Sequence, residues 1–228
     1  MFRYSEFEMG ISFGKALHNS KIPYLKFPKN ISTEMISKQG IPDFVIVGCR
    51  EGKLINMRIE FSSTESSCRA LSVLKYFSGR TFSYVKRAIG QNDYICNKTL
   101  RELEYLNLIK KQKGLYYLVY NELLDKDIWA FELKLGDWKR SLFQAMQYLA
   151  FANYSVVVFP FEKEKVLLTQ LRVFEKFNIG VLLFNIEDNK NKWLYRPKKS
   201  RPLSKWQYYD MLIKVNNDAY LELATEKS

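Results

Sequence analysis

In the run Ala130-Phe131-Glu132-Leu133-Lys134-Leu135 a carboxylate and a lysine alternate on a short apolar segment. Alternation with period two marks a strand, and side chains two apart share a face. Glu132 and Lys134 therefore point one way, and Phe131, Leu133 and Leu135 the other. Burying an acid and a lysine among so many apolar neighbours is unfavourable unless something compensates; a divalent cation and a phosphate would. A second run, Ile41-Pro42-Asp43-Phe44, sets another carboxylate after a proline at the start of an apolar strand.

At 228 residues the chain forms one sizeable domain or two small ones, and an apolar content of 47% suffices for a core. No apolar run approaches the roughly 18 residues of a membrane span, and the N-terminus lacks a signal-peptide pattern, so no membrane association is expected. Cys49, Cys68 and Cys96 are widely spaced and odd in number. That argues against a disulfide framework, a zinc site or an iron–sulfur cluster, and fits a cytoplasmic location. The single histidine, His18, excludes chemistries needing several and reads as a helix-end or surface residue. The net charge of +12 favours a polyanionic partner, nucleic acid being the usual one, over a merely solvated basic surface.

Residues 4–19 read as a helix with Glu6, Met9, Phe13, Ala16 and Leu17 on one face. Residues 41–49 and 54–62 read as strands of a hairpin, followed by a polar linker, 62–67. Helical spacing returns at 68–78 (Leu71, Leu74, Phe77) and 81–89 (Phe82, Val85, Ile89). After a turn at Gln91-Asn92-Asp93, a third helix spans 97–106, with Thr99-x-x-Glu102 as a candidate capping box. Leu108 to Val119 reads as two short strands around a basic turn. Three helices and a hairpin look like a winged helix, placed at 66–120. Beyond it the pattern predicts strand 127–135, helix 138–152, strand 154–160, helix 163–177, strand 179–186, edge strand 191–196 and helix 203–213. The expected architecture is an α/β core of residues 1–65 and 121–228 interrupted by a helical insertion.

Asp43 with Glu132-Leu133-Lys134 resembles the motif of the PD-(D/E)xK nuclease superfamily. The resemblance extends to the helix that follows, where Gln144 and Tyr148 form a Gln-x-x-x-Tyr pair on one face beside a buried stripe of Trp138, Leu142, Ala145 and Leu149. It implies a restriction-endonuclease-like mixed sheet flanked by helices and a Mg²⁺- or Mn²⁺-dependent endonuclease. Asp43 and Glu132 would hold the metal together with the Leu133 carbonyl, and Lys134 would assist the attacking water. Gln144 would lie near the metal site and Tyr148 near the DNA. Hard oxygen ligands suit Mg²⁺, and a lysine can offset charge on the phosphorane. Some relatives also place a metal-proximal glutamate on the first helix, which makes Glu6 a candidate; dipole compensation in the first helical turn is the other reading. The chain departs from the family in spacing, since eighty-eight residues separate Asp43 from Glu132. An inserted module accounts for that length. Glu60, in a rival strand where Ser62 stands in place of the lysine, is an accessory candidate.

Within 66–120 there are ten Lys/Arg against three Asp/Glu. Lys98, Arg101 and Tyr105 share a face of the third helix opposite Leu100, Leu103 and Leu106, as a recognition helix would. Lys110, Lys111 and Lys113 on the hairpin suit phosphates. A second basic stretch, Lys190 to Lys205, is interleaved with aromatics, with Trp193 read as core. Lys139 and Arg140 occupy the first turn of the helix after Lys134, where cations are unfavourable unless phosphate approaches. The implied partner is DNA, in duplex form, bound by a single chain, a homodimer or a larger nuclease complex. The alternative is a non-catalytic protein in which the basic module binds DNA or docks onto another protein and the nuclease-like core is a scaffold.

Overall fold

The computed structural model describes residues 4–27, 29–48, 63–119 and 126–225, with side chains described as far as residue 218. The first elements are α1 (Glu6–His18), β1 (Lys29–Thr33) and β2 (Phe44–Gly48). A helical segment follows with α2 (Glu65–Val73), α3 (Phe82–Ile89), α4 (Asp93–Tyr105), β3 (Ile109–Gln112) and β4 (Leu115–Leu118). The chain then continues as β5 (Asp127–Leu133), α5 (Trp138–Tyr148), β6 (Tyr154–Pro160), α6 (Glu164–Lys176), β7 (Ile179–Phe184), β8 (Asn191–Tyr195) and α7 (Lys205–Thr225).

The centre is a six-stranded mixed sheet in the order β1-β2-β5-β6-β7-β8. The strands β5, β6 and β7 run parallel, and α5 and α6 are the crossovers that parallel neighbours require. Every residue of β6 and β7 is buried, as expected of strands covered on both faces. The other pairings, β1–β2, β2–β5 and β7–β8, are antiparallel.

Alternation sorts the side chains. Ile46, Trp129, Phe131 and Leu133 meet Met9, Phe13 and Leu17 of α1 on one face. Val45, Val47, Ile128 and Ala130 face the other way, into a cluster shared with α2, α4 and α7. Farther along that second face, α5 and α6 cover Val157, Phe159, Val181 and Leu183. Glu132 lies between Phe131 and Leu133 in sequence, so its side chain turns to the α5 side.

Among the described residues, the segment between β2 and β5 holds three helices and a two-stranded antiparallel sheet, β3–β4. Lys113 (φ 49°) and Gly114 (φ 76°) make the two-residue turn between these strands, the left-handed pair a tight hairpin needs. Arg80 pairs with Tyr116 on the outer side of β4. The core of this segment is continuous with the rest: Leu71, Leu100 and Leu103 belong to the same cluster as Tyr209 and Leu212 of α7.

Several expectations change. The α2 helix begins at Glu65, capped by Thr64, and ends at Val73, because Leu74 is extended (ψ 153°). Phe77, expected at helical spacing with Leu71 and Leu74, lies past the end of α2 and is 98% exposed. The α4 helix starts at Asp93, with the Asn92 side chain accepting from the Ile95 N–H. Thr99 is therefore a buried mid-helix residue and not a cap, while Leu106 is only half-buried. On α5, Ser141 and Tyr148 are buried where Trp138 and Leu149 were expected to be, the latter two packing at the margin. The last helix runs twelve residues past 213, to Thr225. The described partner of β2 on its outer side is β1, which periodicity did not reveal. The expected strand at 54–62, with Glu60, lies outside the described residues, as does Cys49.

Candidate active site

The ladder between β2 and β5 ends where Phe44 pairs with Phe131. In that register Asp43 is opposite Glu132 and Pro42 opposite Leu133, and a proline has no N–H to continue the ladder. The Leu133 N–H donates to the Asp43 carboxylate, 2.6 Å away, and the Asp43 N–H donates to the Phe131 carbonyl at 3.0 Å. Two acids 89 positions apart thus come to face each other across the strand end.

Glu132 is 2% exposed. Lys134 lies 3.2 Å from its Oε1, and the Tyr148 hydroxyl donates to its Oε2 at 2.5 Å. The Ile41 carbonyl, 3.2 Å from the same hydroxyl, is an alternative acceptor. Lys134 reaches across the strand end to Oε2 of Glu6 at 3.2 Å, while the Leu135 N–H donates to Glu6 Oε1 at 3.1 Å. The Ser5–Glu8 capping box starts α1 at this point, which sets Glu6 over the end of β5. Asp43, Glu132, Lys134, Glu6 and Tyr148 are therefore gathered in one cluster. Leu133 lies between them with its side chain in the core. Gln144 is one turn before Tyr148 on α5, and its Oε1 is buried without a hydrogen-bond partner.

The electrostatics are unbalanced. Burial pushes Asp43 up to about 6; its hydrogen bond from Leu133 opposes the shift, and the Glu132 and Glu6 charges add to it. For Lys134, burial pulls the ammonium down, but Glu132 and Glu6 outweigh it and hold the group above its ordinary value. Burial raises Tyr148, and its bond to Glu132 raises it further, so the phenol stays protonated as a donor. Three carboxylates thus face one ammonium.

Carboxylate oxygen is the donor type that a hard divalent cation takes. Among the described residues no three carboxylate, imidazole or thiol side chains form a ready cage. A cation here would take two carboxylates, Asp43 and Glu132, and complete its shell with main-chain oxygen and water, as Mg²⁺ commonly does.

The basic candidates lie elsewhere. Lys98 and Arg101 are exposed on α4, Lys98 being 3.9 Å from Glu102, and Tyr105 is 91% exposed. Lys110, Lys111 and Lys113 are exposed on β3 and its turn. Lys139 and Arg140 are exposed in the first turn of α5, where the Asp137 carboxylate accepts from the Arg140 N–H and caps the helix. His18 is exposed in the last turn of α1, as expected. Two residues at the site carry no sequence signal: Ile41, which contributes a carbonyl, and Glu34, whose N–H donates to the Asp43 carbonyl at 3.3 Å.

Among the described residues, fold and site define an α/β protein with a mixed six-stranded sheet and a buried acid–lysine–tyrosine cluster at the C-terminal end of β5, where the parallel strands meet the antiparallel β2. No protein-family model matches the chain, no curated protein matches it, and no solved structure matches it. No described helix is long and apolar enough to cross a membrane.

Proposed function

We propose that this protein is a metal-dependent deoxyribonuclease of restriction, defence or mobile-element type, with a restriction-endonuclease-like core and an inserted winged helix. The observation that carries this reading is Glu132, almost fully buried between Lys134 and Tyr148 and facing Asp43 across the strand end. Such a cluster is unfavourable for folding alone, and it coincides with the Asp…Glu-x-Lys, Gln-x-x-x-Tyr order. The three helices followed by the β3–β4 hairpin, with an isolated bridge from Arg80 to Tyr116 of β4, support the winged-helix reading.

In this mechanism Asp43 and Glu132 would hold Mg²⁺ or Mn²⁺, with the Leu133 carbonyl available as a further oxygen donor. A bound cation would polarise the scissile phosphate and lower the pKa of an attacking water. Tyr148 and Lys134 fix the Glu132 carboxylate from opposite sides. Glu6 draws the Lys134 ammonium to the outer edge of the cluster, where it meets the attacking water or the developing negative charge. Lys98, Arg101 and Tyr105 read the duplex, and Lys110, Lys111, Lys113, Lys139 and Arg140 neutralise phosphates. A second reading rests on the saturation of Glu132 and Glu6 by protein donors: the cluster is a closed structural network, and the basic module does the binding without catalysis.

Incubating labelled duplex and single-stranded DNA and RNA with Mg²⁺ or Mn²⁺, against EDTA, separates the two. The nuclease reading expects metal-dependent cleavage that Asp43→Asn abolishes while DNA binding persists. Cleavage undiminished in that variant, or no cleavage of any substrate, overturns it.

A further inference from the structure

A cleft of about 680 Å³ runs between α1 and the outer edge of the sheet, and Asp43 and Leu133 line one end of it. Its volume falls in the range of about 300–1,000 Å³ typical of small-ligand sites. The helix α1 forms one wall, and Thr33, Glu34 and Phe44 the other. Charge is graded along it. Glu6, Glu34 and Asp43 crowd the end that meets the acidic cluster, and Lys15 and His18 stand toward the C-terminal end of α1. At the helical rise, Glu6 and Lys15 are about 13 Å apart, the reach of about two extended nucleotides.

Between these ends the wall is apolar and open. Phe7 is 77% exposed, and Ile11 follows it one turn on. The same wall carries Gly10 and Gly14. Glycine inside a helix is destabilising relative to alanine, so each calls for a reason. Gly14 has one, because an added Cβ would come within 3.1 Å of the Phe44 ring. Among the described residues Gly10 has none: an added Cβ would meet nothing within 4 Å. What its missing side chain does is leave the floor of the cleft clear.

We infer that this cleft is a subsite for an unpaired strand of nucleic acid, which enters over Gly10 with a base against Phe7 and Ile11 and a phosphate at Lys15 and His18. The inference rests on the nuclease reading, since that reading puts the adjoining phosphodiester at Asp43. A single strand fits for two reasons. An unstacked base has a free face to lay on an aromatic ring, and stacking of this kind tolerates any sequence. A duplex keeps its bases stacked and cannot offer one to Phe7. The grading also has the right sense, with the Lys15 ammonium and the His18 imidazole where a neighbouring phosphate would lie and acids where a metal-bound phosphate would. The substrate class that follows is a single strand, or the unpaired strand at a flap, a frayed end or a nick.

The test is fluorescence anisotropy in EDTA with a labelled single-stranded oligonucleotide and with the same sequence as a blunt duplex. Gly10→Ala should raise the melting temperature by about 2–4 °C, as a modest stabilisation does in a chain of this size, and should weaken single-strand binding measurably, because its methyl stands on the floor of the cleft. Gly10→Leu fills the floor and should weaken single-strand binding at least tenfold, leaving duplex binding within twofold. Unchanged single-strand affinity in a Gly10→Leu protein that melts at or above wild type overturns the inference. Should Gly10→Leu melt lower, Phe7→Ala, at an exposed position, decides in its place, and unchanged affinity there is equally fatal. Cleavage is scored separately with Mg²⁺. A wild type that never cleaves removes the nuclease reading, whereas an enzyme that cleaves but binds single strands regardless of residue 10 removes only the cleft.

Discussion

Tyr148 donates its hydroxyl to Oε2 of Glu132 at 2.5 Å, and the pair lies buried between α5 and β5. Lys134 takes the other oxygen at 3.2 Å. A carboxylate gripped from both sides cannot rotate to find water, so its charge stays in place and unscreened. This ties the stability of the strand end to the chemistry proposed for it.

Tyr148→Phe removes one grip and leaves a buried carboxylate short of a donor. Losing a hydrogen bond to a charged group should cost about 1.5–3 kcal/mol. Urea denaturation at pH 7.5 measures it; a loss under about 0.5 kcal/mol would mean that Glu132 finds another donor.

Lys134→Ala removes the other grip and should cost more, about 3–5 kcal/mol, because it strands a buried negative charge. Adding Glu132→Gln to it should recover much of that loss, since the stranded charge disappears. If the double variant is no more stable than the single one, the lysine acts through packing and not through charge. Metal-dependent cleavage should be absent from both.

Asp43 supplies a pH signature. Its carboxyl is raised to about 6 in the fold, against about 3.9 when unfolded. Between those values the folded state binds more protons than the unfolded one. Its contribution is therefore fully present below about pH 4 and lost as pH rises through about 6. Asp43→Asn should exceed wild type in stability at pH 7.5 by about 2–3 kcal/mol, with the gap closing by pH 4. Saturating Mg²⁺ should narrow the gap at pH 7.5 by stabilising wild type alone. A gap of constant size across the range would show that the residue does not titrate there.

Replacing Lys110, Lys111 and Lys113 together should flatten the dependence of duplex affinity on salt by about 0.9 in log–log slope for each phosphate that is no longer neutralised. Lys98→Ala with Arg101→Ala should change preference among sequences instead. All five side chains are exposed, so the fold should persist. Titration of labelled duplex at several salt concentrations checks both; an unchanged slope would favour the protein-docking role.

Much of the sheet was legible because its strands are short apolar runs between helices of clear period. The expected strand at 127–135 and helix at 138–152 coincide with β5 and α5 to within a few residues. The strand β1 was not legible: Lys29-Asn30-Ile31-Ser32-Thr33 is an edge strand with one large apolar residue and no pattern to read. Phe77 was misplaced because helical spacing continues in the sequence past the point where Leu74 turns extended. The start of α4 was misplaced because Thr99-x-x-Glu102 imitates a cap, while the working cap is Asn92, seven residues earlier.

Local order alone determined that Glu132 and Lys134 share a face of a strand, that Asp43 begins another after a proline, and that Gln144 and Tyr148 share a helix face. Those relations depend on period and nothing else. What only the tertiary structure decided is which groups meet: Tyr148 on Glu132, Glu6 on Lys134, the Leu133 N–H on Asp43. Each joins segments 16 to 128 residues apart. Such meetings follow from the parallel register of β5 and β6, which seats α5 over Glu132, and from the packing of α1 on the opposite face, and neither is written in the spacing of any one segment.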